Sequence, residues 1–111
     1  MKIPHAERAE VSIHKLRAYC LNPQHDEGKH KARVFASALG LTAADAESLR
    51  DLLLDAVRTH DAQLGFRDDY GQRYIVDFQV VRSVKRAMVR SGWILEHASE
   101  VPRLTTCYVL D

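Results

Sequence analysis

The sequence predicts an α+β domain in which about three N-terminal helices pack on one face of a three- to four-stranded antiparallel sheet. Two observations carry this. Apolar residues recur at three- and four-residue spacing through the first half of the chain, and at a spacing of two in the second half, as in "RYIVDFQVV". The helical stretches also all precede the strand stretches, which favours an antiparallel meander covered on one face over an alternating parallel fold.

Ser12 is placed as the N-cap of a first helix over about 13–21, with Ile13, Leu16 and Cys20 on its buried face. Asn22-Pro23 ends it, and a polar loop runs to Gly28. A second helix is expected over about 30–39, with Val34, Phe35, Ala38 and Leu39 inward and Gly40 as its C-terminal cap. Thr42 and Asp45 then form a capping start for a third helix. Its buried face is Ala46, Leu49, Leu53, Ala56 and Val57, and it should end near Arg58.

The strand with Tyr74, Val76, Phe78 and Val80 on one face puts Arg73, Ile75, Asp77 and Gln79 on the other. "AMVRSGWIL" and "RLTTCYVL" are two further strands, rich in β-branched and aromatic residues, and "AQLGF" (62–66) is a short extra one. "RSVKR" (82–86) is expected to be a hairpin connection although it lacks an Asn-Gly or Asp-Gly pair. At 111 residues the chain suits one domain, helical over about 12–59 and sheet over about 62–110.

Hydrophobic residues at 46% and charged residues at 28% describe a folded, soluble protein rather than a disordered one. No apolar run approaches the ~20 residues of a membrane span, and "MKIPHAERAEV" lacks a signal-peptide core, so a cytoplasmic address is expected. A net charge of +1 excludes a global electrostatic footprint for nucleic acid, so anion binding must come from local clusters. Cys20 and Cys107 form no CxxC and are read as buried thiols. The six histidines show no metal-ligand spacing, and there is no P-loop, G-x-S-x-G or dinucleotide fingerprint, so no cofactor or metal is expected.

Against that background, "NPQHDEGKHKARVF" stands out. Lys29, His30, Lys31 and Arg33 crowd the start of the second helix. Cations there oppose the helix dipole, a small cost that an anionic ligand would reverse. On the strands, Arg90 interrupts apolar residues, and alternation puts Thr106 and Tyr108 on a common face. An arginine, hydroxyls and a tyrosine on neighbouring strands suit a phosphate, although Ser91, Thr106 and Tyr108 also fit ordinary cross-strand pairing. Asp77 is read as a partner for Arg73, Arg90 or Arg103, and Trp93 as a core residue.

The runs "IPHAERAEVSIHKLRAYCLNPQHDEGKHKARVFASALGLT", "DYGQRYIVDF", "VRSGWIL" and "VPRLTTCYVL" resemble a small bacterial family of domains of unknown function. That family occurs as short standalone proteins and as C-terminal modules of toxin-like or phage-related proteins. Two departures stand out: "RSVKR" replaces a turn with Gly or Asn, and Ser91-Gly92 replaces Thr-Ala. The order of elements is also similar to metal-independent ribonuclease toxins of the barnase, colicin and RelE-like kind, by analogy of pattern. This resemblance implies RNA cleavage with His30, Lys31, Arg90, Thr106 and Tyr108 as catalytic residues. Lys29, Arg33, Ser91 and Arg103 would then bind substrate. It implies RNA as substrate and an antitoxin or immunity protein as a neutralising partner. The alternative is a non-catalytic interaction module that uses the open sheet face.

Overall fold

The computed structural model describes residues 1–110. Helices and short helical turns come first and a four-stranded antiparallel meander follows, in the order β1-β2-β3-β4. The strands are β1 (Gln63–Arg67), β2 (Gly71–Arg82), β3 (Lys85–Glu96) and β4 (Arg103–Val109). The first helix, α1 (Ile13–Lys15), is capped as expected by the Ser12 hydroxyl, which accepts from the Lys15 N–H. It continues as a wider π turn over Leu16–Cys20, closed by the Leu21 N–H to the Leu16 carbonyl at 2.9 Å. Period alone does not reveal this turn, because Leu16 and Cys20 stay buried in either geometry.

Helix α2 is Lys29–Leu39 and α3 is Ala46–Thr59, preceded by a 3-10 turn over Ala43–Asp45. The Thr42–Asp45 capping box is complete. The inward residues of α2 are Ala32, Phe35 and Leu39, with Val34 and Ala38 only half-buried. The stripe is thus rotated about the helix axis, toward Ala32 and away from Val34 and Ala38. The buried face of α3 is the expected set.

The core lies between these helices and one face of the sheet. From the sheet it takes Tyr74, Val76, Phe78, Val80, Val89, Trp93, Leu104, Cys107 and Val109. Each large apolar side chain buried there contributes about 1.5–3 kcal/mol. Cys20 and Cys107 are free and fully buried, where the π turn packs against β4. Contact with Cys20 and burial raise the Cys107 thiol, while contact with Cys107 lowers Cys20.

Two features set the shape of the open face. A bulge in β1 places Gly65 and Phe66 together opposite Arg73, between the Leu64–Tyr74 and Arg67–Gln72 pairs. A second bulge in β4 inserts Thr105 between the Gly92–Thr106 and Trp93–Leu104 pairs. Thr105 therefore leaves the strict alternation with Cys107 that the sequence pattern implies. The β2–β3 hairpin closes on Ser83 and Val84, with Ser83 at φ 56° supplying the conformation that an Asn or Gly more often gives. In the segment before Ser12, without an assigned role in the sequence pattern, Glu10 bridges Arg103 in parallel and covers that end of the edge strand.

Candidate active site

The loop before α2 is built by its own side chains. Asn22 Oδ1 accepts from the Gln24 N–H, and its Nδ2 donates to the Ala18 carbonyl. His25 Nδ1 accepts from the N–H groups of Glu27 and Gly28, and its ring packs on Tyr19 at 4.5 Å. Gly28 has no room for a side chain, because a Cβ there would run into the Tyr19 carbonyl. The first turn of α2 is thus fixed against the π turn. The far end of the helix is held by the β2–β3 hairpin. Arg82 donates to the carbonyls of Leu39 and Gly40, and Lys85 donates to that of Ser37. Cations there complement the negative end of the helix dipole.

So anchored, α2 brings Lys31 to β4. Its Nζ is 3.4 Å from Thr106 Oγ1, at the long end of a hydrogen bond, and 4.9 Å from the centre of the Tyr108 ring. Tyr108 stands opposite Arg90 in the β3–β4 register, and Arg90 stands opposite Asp77 in the β2–β3 register. The Arg90 guanidinium makes a two-pronged pair with Asp77, Nε to Oδ1 at 2.9 Å and Nη2 to Oδ2 at 2.8 Å. Asp77 first, and the Tyr108 hydroxyl second, raise the Arg90 pKa above its ordinary value. Lys31, Arg90, Thr106 and Tyr108 therefore meet at one place, with Asp77 as the holder of Arg90. Among Arg73, Arg90 and Arg103, the partner of Asp77 is Arg90.

Beside this cluster lies a hollow of about 220 Å³ on the open face, reached by Arg90, Thr106 and Tyr108. It exists partly because β3 carries Gly92 there: a Cβ would come within 3.2 Å of both Thr105 Oγ1 and Thr106 Cγ2. Arg73 and Phe66 line its other side.

The other expected site residues lie elsewhere. His30 projects into solvent from α2 and does not line the hollow. It is one residue, and so about 100° of helical turn, from Lys31. Lys29 is half-buried in the first turn, and Arg33 is exposed beside Leu21, Pro23 and Ala36. Arg103 pairs with Glu96 at 2.7 Å and lies along a separate groove with His14, Lys15 and Arg50. The assignment of Ser91 to substrate binding is corrected. Ser91 is fully buried; its hydroxyl donates to the Val76 carbonyl at 2.7 Å and accepts from Trp93 Nε1 at 2.9 Å. Strand alternation turns it to the core face, where it serves Trp93 and not a ligand.

Asp77, Phe66 and Arg73 are among the residues of this neighbourhood that the sequence left without a site role. The register opposite Arg90 signals the first, but the β1 bulge that turns Phe66 to the open face has no signature beyond Gly65. Among the described residues, no helix is long and apolar enough to cross a membrane.

No curated protein and no solved structure matches the chain. A family model described as "Domain of unknown function (DUF6883)" matches residues 2–111. With the match running over nearly the whole length, helices and sheet alike, the chain belongs to that family.

Proposed function

We propose that this protein is a metal-independent ribonuclease of toxin type, acting at Lys31, Arg90, Thr106 and Tyr108. The observation that carries the reading is the convergence of Lys31, from the helical half of the chain, on Thr106 and Tyr108 of β4, with Arg90 in the next register position. Two cations, a hydroxyl and a phenol, three of them at the hollow and Lys31 beside it, match the needs of a phosphodiester. The charge that develops on phosphorus-bound oxygens is met by preorganised donors that need no reorganisation during the reaction.

In the proposed reaction the ribose 2′-oxygen attacks the adjacent phosphorus and its proton leaves to solvent through the open mouth. Lys31 and Arg90 stabilise the equatorial oxygens. Tyr108 gives its proton to the leaving 5′-oxygen, and Thr106 orients the phosphate. The P–O5′ bond breaks, a 2′,3′-cyclic phosphate remains, and Tyr108 regains a proton from solvent. His30 has no part in this scheme. Asp77 is a positioning residue that fixes the direction of the Arg90 fork.

The test is cleavage of a fluorescent RNA oligonucleotide by purified protein in EDTA, beside its all-deoxy counterpart. Cleavage of RNA alone, leaving cyclic phosphate ends, is the expected result, with Lys31→Ala and Arg90→Ala each lowering the rate by about 10²–10³. Folded wild type without activity, or activity untouched by Lys31→Ala, overturns the proposal. A second reading, a non-catalytic docking module, is favoured by Val81 and Met88, exposed apolar residues on the β2–β3 ribbon. On the nuclease reading the same apolar ground is where a neutralising antitoxin or immunity protein would sit.

A further inference from the structure

The proposed chemistry uses only one side of the hollow, and the opposite side has features of its own. Phe66 is 66% exposed, an unusual position for a phenylalanine that packs on no core residue. The β1 bulge holds it on the open face, and the Arg73 guanidinium lies over its ring at 5.3 Å. Arg73 Nη2 donates to Asp68 at 3.1 Å. Its Nε–H, by contrast, is buried and has no acceptor among the described residues, although buried donors are nearly always paired. Ile75 supplies an apolar floor, and Gly92 leaves that floor bare.

We infer that this half of the hollow binds the nucleobase next to the scissile phosphate, and that Phe66 and Arg73 select it. The inference rests on the phosphate-directed reading given above. The cavity, about 220 Å³, is smaller than the ~300–1,000 Å³ of pockets for drug-sized ligands, which suits a single planar ring system. An exposed aromatic face is the usual platform for a base in single-stranded RNA, and stacking on it tolerates any base. Selection falls to Arg73. Its guanidinium lines the hollow, and an arginine matches the O6 and N7 acceptors of guanine better than the mixed edge of adenine. The same cavity reaches Arg90 and Tyr108, so one nucleotide can place its base on Phe66 and its phosphate at the cationic cluster.

The experiment is titration of guanosine 3′-monophosphate, adenosine 3′-monophosphate, guanosine and inorganic phosphate into the full chain, followed by amide NMR shifts. Phe66→Ala and Arg73→Gln are run beside wild type, with folding checked by circular dichroism. The guanine nucleotide is expected to bind at least tenfold tighter than phosphate, with shifts at Phe66, Arg73 and Gly92. Phe66→Ala should remove that advantage, and Arg73→Gln should remove the preference for guanine over adenine. Phosphate binding at Lys31 and Arg90 with no gain from the base overturns the base site and leaves the nuclease reading standing. Guanosine binding at Phe66 without phosphate binding supports the base site and counts against the nuclease reading. Binding of neither overturns both.

Discussion

Ser91 and Arg90 are neighbours in sequence, yet one is spent in the core and the other is presented to the open face. The hydroxyl of Ser91 satisfies both the Val76 carbonyl and the Trp93 indole. Ser91→Ala leaves both without their partner, and a loss of about 1–3 kcal/mol is expected, read as a fall in the denaturant midpoint. RNA cleavage per folded molecule should be unchanged. Arg90→Lys is expected to act the other way, with little loss of stability and a large loss of turnover, since an ammonium cannot reproduce the fork held by Asp77. His30→Ala should retain wild-type turnover within a few-fold. Strand alternation puts Arg90 and Ser91 on opposite faces, but it does not say which face is the core, and the sequence pattern wrongly assigned Ser91 to substrate binding as well. The position of His30 was not legible either, because a cluster of charges at a helix start does not show which one faces the sheet until the helix is docked.

Helix α2 is the element that joins the two halves of the site, and both of its ends are pinned. Gly28→Ala places a methyl against the Tyr19 carbonyl, and either the loop or the helix must move. A loss of about 1–3 kcal/mol is expected, with a larger effect on turnover than on melting, because Lys31 lies three residues on. Acid should loosen the supports of two elements. The Thr42 backbone N–H first, then its hydroxyl and Arg82, hold Asp45 below the ordinary value of 3.8. At Asp68 burial pushes upward, but the N–H groups of Tyr70 and Gly71 and the Arg73 side chain bring it below 3.8 as well. A depressed folded pKa means that the contribution is present above the unfolded value and is lost as pH falls below about 4. Melting temperature should therefore drop below that pH, and Asp45→Asn should flatten the drop while lowering stability at neutral pH. Capping signals made the third helix readable to within a residue at its end. The π turn and the β1 bulge were not readable, since each leaves the pattern of buried residues almost intact.

For the whole molecule, a net charge of +1 limits how RNA can be held. With Lys31 and Arg90 both directed at the scissile phosphate, about one phosphate is engaged, and a single strand then gives a slope of about −0.7 in log affinity against log salt. A fluorescence titration of non-cleavable 2′-O-methyl RNA over a range of salt checks this, and a much steeper slope would show that a broader cationic surface takes part. The α+β architecture was legible because two periods follow one another along the chain. The meander order was legible because short connections favour adjacent strands. The hollow was not, because it arises from two bulges on strands that are far apart in sequence.

The row Asp77–Arg90–Tyr108 crosses three strands, and β4 is the last of them in sequence. During synthesis, Lys31 and Arg90 emerge well before Thr106 and Tyr108. Until β4 has left the ribosome and paired, the growing polypeptide carries cations without the phenol between them. On the proposed reading, a product cut before β4 is expected to be inactive for the same reason. On that reading, the site is complete only once β4 has paired with β3, so its assembly follows the formation of the whole sheet.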